Sequence, residues 1–303
     1  QVDSDFPVRS NDQVGIQDLA YPSNAIPGEL VFQFDSRQDY LAYLKALTNA
    51  GIAPLGQIDE LLALRISERA LLQANLAHSA ARASYSYRIE RPLPPVEIDP
   101  EALANLRHYG LSARAITGGI VAGQGEGVIV AILDSGIQAH SQFDDIYIAP
   151  IDLVDCGVAG RGAAHGTSVA SIITGREGIA PAAELFVVRV LDDEGLGNSY
   201  DVAQGIVQAV DLGVQIINMS LGVYQDAALL RQAIKYADDR GVIMVAAAGN
   251  DGYNRMPYPA AYPQVLSVTA VDAGGQHANF SNQSKEIDFA APGVGVLTAK
   301  EEK

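Results

Sequence analysis

A chain of 303 residues, 48 % hydrophobic and 18 % charged, can bury a large core and a small companion domain, which excludes a disordered polymer. Its formal net charge of −16 excludes the basic face that a nucleic-acid partner needs and keeps the protein apart from anionic membranes. The single cysteine, Cys156, allows no intrachain disulfide and reads as a small buried hydrophobe; no run approaches the roughly 20 apolar residues of a membrane span, and no basic-then-apolar signal segment opens the chain.

Residues 1–27 are polar, carry "YPSNAIPG" and read as an irregular tail. A small α+β unit is expected over 28–92. "ELVFQF" alternates like a strand. "SRQDYLAYLKALTNAG" has Ser36 as N-cap and Gly51 as stop of a helix. "ELLALRIS" reads as a second strand, "ERALLQANLAHSAA" as a second helix and "SYSYRIE" as the unit's last strand. The proline- and acid-rich "RPLPPVEIDPEA" opens a linker that runs to residue 110.

Beyond residue 111 the character changes. "GVIVAILDSG", "AELFVVRVLD", "VQIINMSLG", "VIMVAAAGN" and "VLSVTAVD" are near-continuous apolar runs of the kind that fill parallel strands buried on both faces. Helical patterns lie between them: "HGTSVASIITG", "SYDVAQGIVQAVDLG" and "DAALLRQAIKYADDRG". The expected fold class is therefore α/β, a mostly parallel doubly wound sheet, with function at the carboxyl ends of its strands. The glycines of "GQGEG" at 123–127 lack the spacing of a dinucleotide fingerprint and precede their strand, so they carry no cofactor reading.

Four features sit at those strand ends. Asp134 closes "VIVAILD", Ser220, Leu221 and Gly222 close "INMSLG", Asn250 closes "VAAAGN", and His165 opens a helix. Each has an ordinary reading alone, as a turn former, a cap or a core histidine. Together they place an acid, an imidazole and an amide donor at one edge of one sheet. A carboxylate that orients an imidazole, an imidazole that moves a proton and an amide that steadies an oxyanion form the set that acyl transfer uses.

The motifs "VAILDSGI", "HGTSVA", "INMSLG", "VAAAGNDG", "YPAAYPQVLSVTAVD" and "FAAPGVGV", in this order, resemble those of subtilisin-type serine peptidases. The resemblance covers about residues 105–298. It implies that Asp134 orients His165, that His165 is general base and then acid, and that Asn250 donates to the oxyanion. Ser220, Leu221 and Gly222 would pair with the substrate backbone by strand addition. Ala247, Ala248 and Gly249 would form the opposite wall of a side-chain pocket, with Asp251 at its rim, where it could favour a basic substrate side chain. The unit at 28–92 is similar in size and element order to the family's inhibitory propeptide. The implied partners are a protein or peptide substrate and this propeptide-like unit, and the implied location is secreted or periplasmic.

Two departures stand out. The family's nucleophilic serine lies in a Gly-Thr-Ser motif some twenty residues after "APGV", and the sequence reaches Lys303 before one arrives. This stretch is therefore expected to be inactive alone: a precursor without its serine, a chain whose serine lies on a second chain, or, alternatively, a non-catalytic peptide-binding pseudopeptidase. Ser168, three residues after His165, should point along its helix, away from Asn250, and Ser220 lies in the substrate strand; neither is the expected nucleophile. The second departure is a short loop after "HGTSVASIITG", where the family's tight calcium site has a longer one. Asp144, Asp145, Asp192, Asp193 and Glu194 offer oxygen ligands to Ca²⁺ but read as solvated acidic surface, and no metal or other cofactor is assigned. His140 reads as a surface residue.

Overall fold

The computed structural model describes residues 22–74, 81–92, 125–153, 163–272 and 274–299. The tail before residue 22, the end of the second predicted helix (75–80), the linker from 93 to 110, Gly123 and Cys156 lie outside the described residues.

The first unit comprises β1 (Glu29–Phe34), α1 (Arg37–Asn49), β2 (Gly56–Ile58), β3 (Ala63–Ser67), α2 (Glu68–Ala74) and β4 (Ala81–Ser84). Its strands form an antiparallel sheet in the order β2-β3-β1-β4. Ser36 caps α1 as expected, its hydroxyl accepting from the Asp39 amide at 3.1 Å. Gly51 follows the helix with a φ of 70°, which a side chain would resist.

β5 (Arg88–Glu90) corrects the sequence reading. "SYSYRIE" is not one strand of the small sheet: that sheet ends with β4, and Arg88–Glu90 pairs antiparallel with Leu196–Asn198 of the larger unit. Arg88–Glu90 alternates, with only Ile89 buried, and alternation fixes a strand's faces without naming its partner.

The larger unit contains β6 (Ile129–Asp134), β7 (Ile148–Asp152), α3 (Ala164–Ile173), β8 (Glu184–Arg189), β9 (Leu196–Asn198), α4 (Ser199–Asp211), β10 (Ile216–Met219), α5 (Ala228–Asp238), β11 (Ile243–Ala247), β12 (Val265–Val271) and β13 (Phe289–Pro292). Among the described residues, seven of these strands form one sheet in the order β13-β12-β11-β10-β6-β8-β7. Every pairing in it is parallel. From β6 the chain first lays down β7 at the sheet edge, then inserts β8 between them, and resumes on the other side of β6 with β10. The strand order thus reverses between β6 and β10, and a parallel sheet opens a crevice at that point.

α3 covers one face of the sheet, packing Ala170 with Val130, Ile132, Leu185 and Val187. The opposite face is buried under α4 and α5, and the apolar core there runs on without a break into the small unit through Ile89, Tyr85 and Leu64. α4 approaches the sheet at Gly205, where an added Cβ would lie 3.1 Å from the Cγ1 atoms of both Val188 and Val190. Gly205→Val is expected to lower the stability of the chain by about 1–3 kcal/mol through overpacking. An unchanged urea midpoint would show that α4 can lift off the sheet without cost.

Candidate active site

β6 delivers Asp134 to the reversal point of the sheet. Its residues are almost wholly buried, and Asp134 itself has 0 % exposure. A carboxylate so enclosed needs donors. Oδ1 accepts from the Ser135 amide at 2.7 Å and from the Ser135 hydroxyl at 3.2 Å. His165 supplies the rest: its Nδ1 lies 2.8 Å from Oδ1 and 3.0 Å from Oδ2. With a carboxylate as acceptor the ring proton belongs on Nδ1, which makes Nε2 the acceptor nitrogen of the imidazole. The His165 side chain is 26 % exposed, so the pair joins a buried anion to a ring that reaches the surface.

The sequence "HGTS" explains why the two segments meet. Gly166 lies against the turn after β6 so closely that a Cβ would sit 2.0 Å from the Gly136 carbonyl oxygen. The Thr167 hydroxyl donates to the Ala163 carbonyl at 2.7 Å and accepts from the Gln138 amide at 2.9 Å. It thereby ties the first turn of α3 to the loop that follows Asp134.

Ser168 and Ser220 are occupied elsewhere. The Ser168 hydroxyl donates to the Ala299 carbonyl at 3.0 Å, and the Ser220 hydroxyl accepts from the Asn218 side chain at 3.2 Å. Asn250 follows β11, half-buried, after Gly249 at a φ of 100°; β11 is two strands from β6.

Two extended stretches of the larger unit take up a segment of the N-terminal unit between them. Leu221 is buried, and Gly222 exchanges two backbone hydrogen bonds with Glu90: its amide donates at 3.0 Å and its carbonyl accepts at 3.2 Å. The Arg91 amide donates to the Gly195 carbonyl at 3.0 Å on the other side. Arg88–Arg91 is therefore an extended peptide held between Leu196–Asn198 and Gly222, with Ile89 fully buried. Of the three residues expected to pair with a substrate backbone, Gly222 alone pairs with this segment, through a single antiparallel bridge to Glu90.

The Ala248–Gly249 backbone, expected to lie in a pocket wall, is pinned by Asn282, a residue the sequence reading missed. Its Nδ2 donates to the Ala248 carbonyl and to the Tyr224 hydroxyl, both at 2.8 Å, and its Oδ1 accepts from the amides of Asp251 and Tyr253. The Tyr224 hydroxyl donates in turn to Asp251 at 2.5 Å, and burial with that bond pushes the phenol up to about 12. One Asp251 oxygen thus serves Tyr224. No sequence pattern announces this link, because Tyr224 and Asn282 are far apart in the chain.

Asp144, Asp192 and Asp193, among the acidic groups weighed for calcium, have partners within the protein. Asp192 accepts from the Glu194 and Leu196 amides within its own turn, and Asp193 pairs with Arg189 at 2.8 Å. Asp144 faces Arg176 at 3.8 Å. Among the described residues no three His, Cys, Asp or Glu side chains converge where a metal could be held. His140 is half-buried; its Nδ1 accepts from the Gln142 amide at 3.1 Å.

The profile of the Subtilase family matches residues 125–302. The chain belongs to the subtilase family. It is 42 % identical over 182 residues to the thermostable alkaline protease of Halalkalibacterium halodurans, covering 57 % of this chain and 49 % of that one. It is 38 % identical over 185 residues to the minor extracellular protease Epr of Bacillus subtilis, covering 57 % of this chain and 28 % of the relative. The chain thus spans about half or less of the length of these relatives. The crystal structure of fervidolysin from Fervidobacterium pennivorans, a keratinolytic enzyme related to subtilisin, superposes with a TM-score of 0.74 at 25 % identity. That match covers 94 % of this chain and 50 % of fervidolysin, so it reaches beyond the subtilase domain into the N-terminal unit.

Asp134→Asn is expected to replace the ring's acceptor with a side chain that can donate, and so to move the His165 proton from Nδ1 to Nε2. The ¹⁵N chemical shifts of the His165 ring report the tautomer. Retention of the Nδ1–H form in the variant would show that Asp134 does not set it.

Proposed function

We propose that this chain is part of a subtilisin-type serine endopeptidase in its precursor form, with the N-terminal unit seated in its own substrate cleft. The observations that carry this reading are the buried Asp134 bonded to an accessible His165 and, on the same domain, an extended segment of the N-terminal unit paired with Leu196–Asn198 and Gly222. In the proposed reaction a serine hydroxyl gives its proton to His165 Nε2 as its oxygen bonds to the scissile carbonyl carbon. The carbonyl electron pair moves onto oxygen, where the Asn250 amide donates to it. His165 then passes the proton to the departing amine as the C–N bond breaks, and water repeats the sequence to release the acid.

The nucleophile of this proposed reaction is a serine other than Ser168 and Ser220, whose hydroxyls are bonded elsewhere. An apolar sheet face supports a covering segment on this side. Ile243, Leu266 and Phe289, on adjacent strands and one face by register, are 50 %, 38 % and 57 % exposed. The extracellular protease among the relatives supports a location outside the cytoplasm, and among the described residues no helix is long and apolar enough to cross a membrane.

The chain extended through its downstream residues and freed of the N-terminal unit is expected to hydrolyse quenched fluorescent peptides, and His165→Ala to lower that rate by about a hundredfold or more. An extended, freed chain that neither cleaves peptides nor reacts with a serine-directed phosphonate would instead be a peptide-binding pseudopeptidase.

Residues 22–92 added to the freed enzyme are expected to inhibit it. Ile89→Asp, which places a charge where an apolar side chain is fully buried, should raise the inhibition constant about a hundredfold. Equal inhibition by both fragments would remove Ile89 from the contact.

A further inference from the structure

The contact between the N-terminal unit and the larger one holds a second set of buried charges, remote in sequence from Asp134 and His165. Arg65 projects from β3. Its guanidinium lies 3.2 Å from Asp201 in the first turn of α4 and 3.8 Å from Glu29 on β1. The Arg65, Asp201 and Glu29 side chains are only 17 %, 9 % and 26 % exposed. The guanidinium also stacks over the Tyr200 ring, 4.7 Å from its centroid, and Tyr200 is fully buried. Gly56 of β2 closes over the same ring, where a Cβ would come within 2.8 Å. The remaining neighbours are Asn198, which donates to Asp201 at 2.6 Å, Tyr40 of α1 and Asp59, to which Tyr40 donates.

The charges do not balance. One cation faces two carboxylates, Asp201 buried and Glu29 partly exposed, and the Glu29 Oε2 atom is itself shut off from water with no hydrogen-bond partner. The nearer carboxylate comes from the larger unit, so the surplus negative charge arises when the two units assemble. We propose that Glu29, Arg65 and Asp201 form a proton-linked latch, which tightens the N-terminal unit over the cleft as pH falls and loosens it as pH rises.

The direction follows from burial. Desolvation raises both Glu29 and Asp201 above their ordinary values, outweighing the attraction of Arg65. A carboxyl raised in the docked form takes up a proton on docking. Its contribution is fully present below the ordinary carboxylate range, near pH 4, and is lost as pH rises through the raised values. The latch deepens the precursor reading, on which its regulatory meaning rests, but it can be measured without peptide hydrolysis.

The test is amide hydrogen exchange on the intact chain at pH 5 to 8.5, corrected for intrinsic rates. The Gly222 amide reports undocking, because it donates to Glu90 across the cleft. Its protection is expected to fall with rising pH, by at most about tenfold per pH unit for each proton released. Glu29→Gln, which keeps the shape and removes the surplus charge, is expected to flatten that slope and leave Gly222 several-fold better protected than wild type at pH 8. Asp201→Asn should flatten it from the other side of the contact. Wild-type slopes in both variants, or protection that rises with pH in the wild type, would overturn the latch; the precursor reading would then still stand on the cleft geometry and its own hydrolysis assay.

Discussion

The buried carboxylate of Asp134 is the constraint from which the rest of the site follows. A charge removed from water at the end of a central strand is tolerable only if donors surround it. The Ser135 amide and hydroxyl provide two, and the third must come from another element. α3 supplies it through His165, and this fixes both the position of the helix along the sheet and the rotation of its first turn. Gly166 lets the turn after β6 touch that helix, and Thr167 bonds the two together. A methyl group at 166 would sit 2.0 Å from the Gly136 carbonyl oxygen, and relieving that overlap would carry the helix and the turn out of hydrogen-bonding distance. The reversal of strand order provides the crevice, and the need to satisfy one carboxylate decides what lines it.

The cleft next to it rests on a different requirement. The Glu90 and Gly222 amides and carbonyls satisfy one another in pairs, and the Arg91 amide finds Gly195. An edge with unpaired backbone groups accepts any extended chain whose side chains fit, which explains how a segment from a separate antiparallel unit can join it. Selectivity then falls to the side chains. Ile89 disappears into the common core, whereas Arg88 and Glu90 stay exposed, as alternation along an added strand requires.

Legibility in the sequence followed the range of the interaction. The parallel sheet could be read because strands buried on both faces must be apolar throughout, and "VIVAILD" and "VIMVAAAGN" have no polar side to hide. Asp134 and His165 could be read because an acid at such a strand end and a histidine before Gly-Thr break that pattern. The destination of "SYSYRIE" could not, since Arg88–Glu90 alternates equally well against either sheet. Asn282, Tyr224 and the Arg65 cluster were silent for a related reason. Asp201 in a first helical turn looks like a dipole-matching acid, and Arg65 in an alternating strand looks like a solvent-facing residue. Only the packing of β3 against α4 brings them together.

The two buried acidic sites differ in how completely they are satisfied, and the difference matches what each contact must do. Asp134 has donors on both oxygens, all from within the subtilase domain, so its environment persists whatever becomes of the N-terminal unit. Glu29 has an oxygen with no hydrogen-bond partner, only the more distant Arg65 guanidinium, and shares that cation with Asp201 across a junction between two separately built units. A fully satisfied buried ion pair at that junction would be strongly destabilising to break, because each partner would be left unpaired. An unbalanced one costs less to separate, since water solvates the surplus carboxylate on release. The proton that the docked form holds makes this difference depend on the solution, so the same burial that makes Asp134 permanent makes the Glu29–Arg65–Asp201 contact reversible.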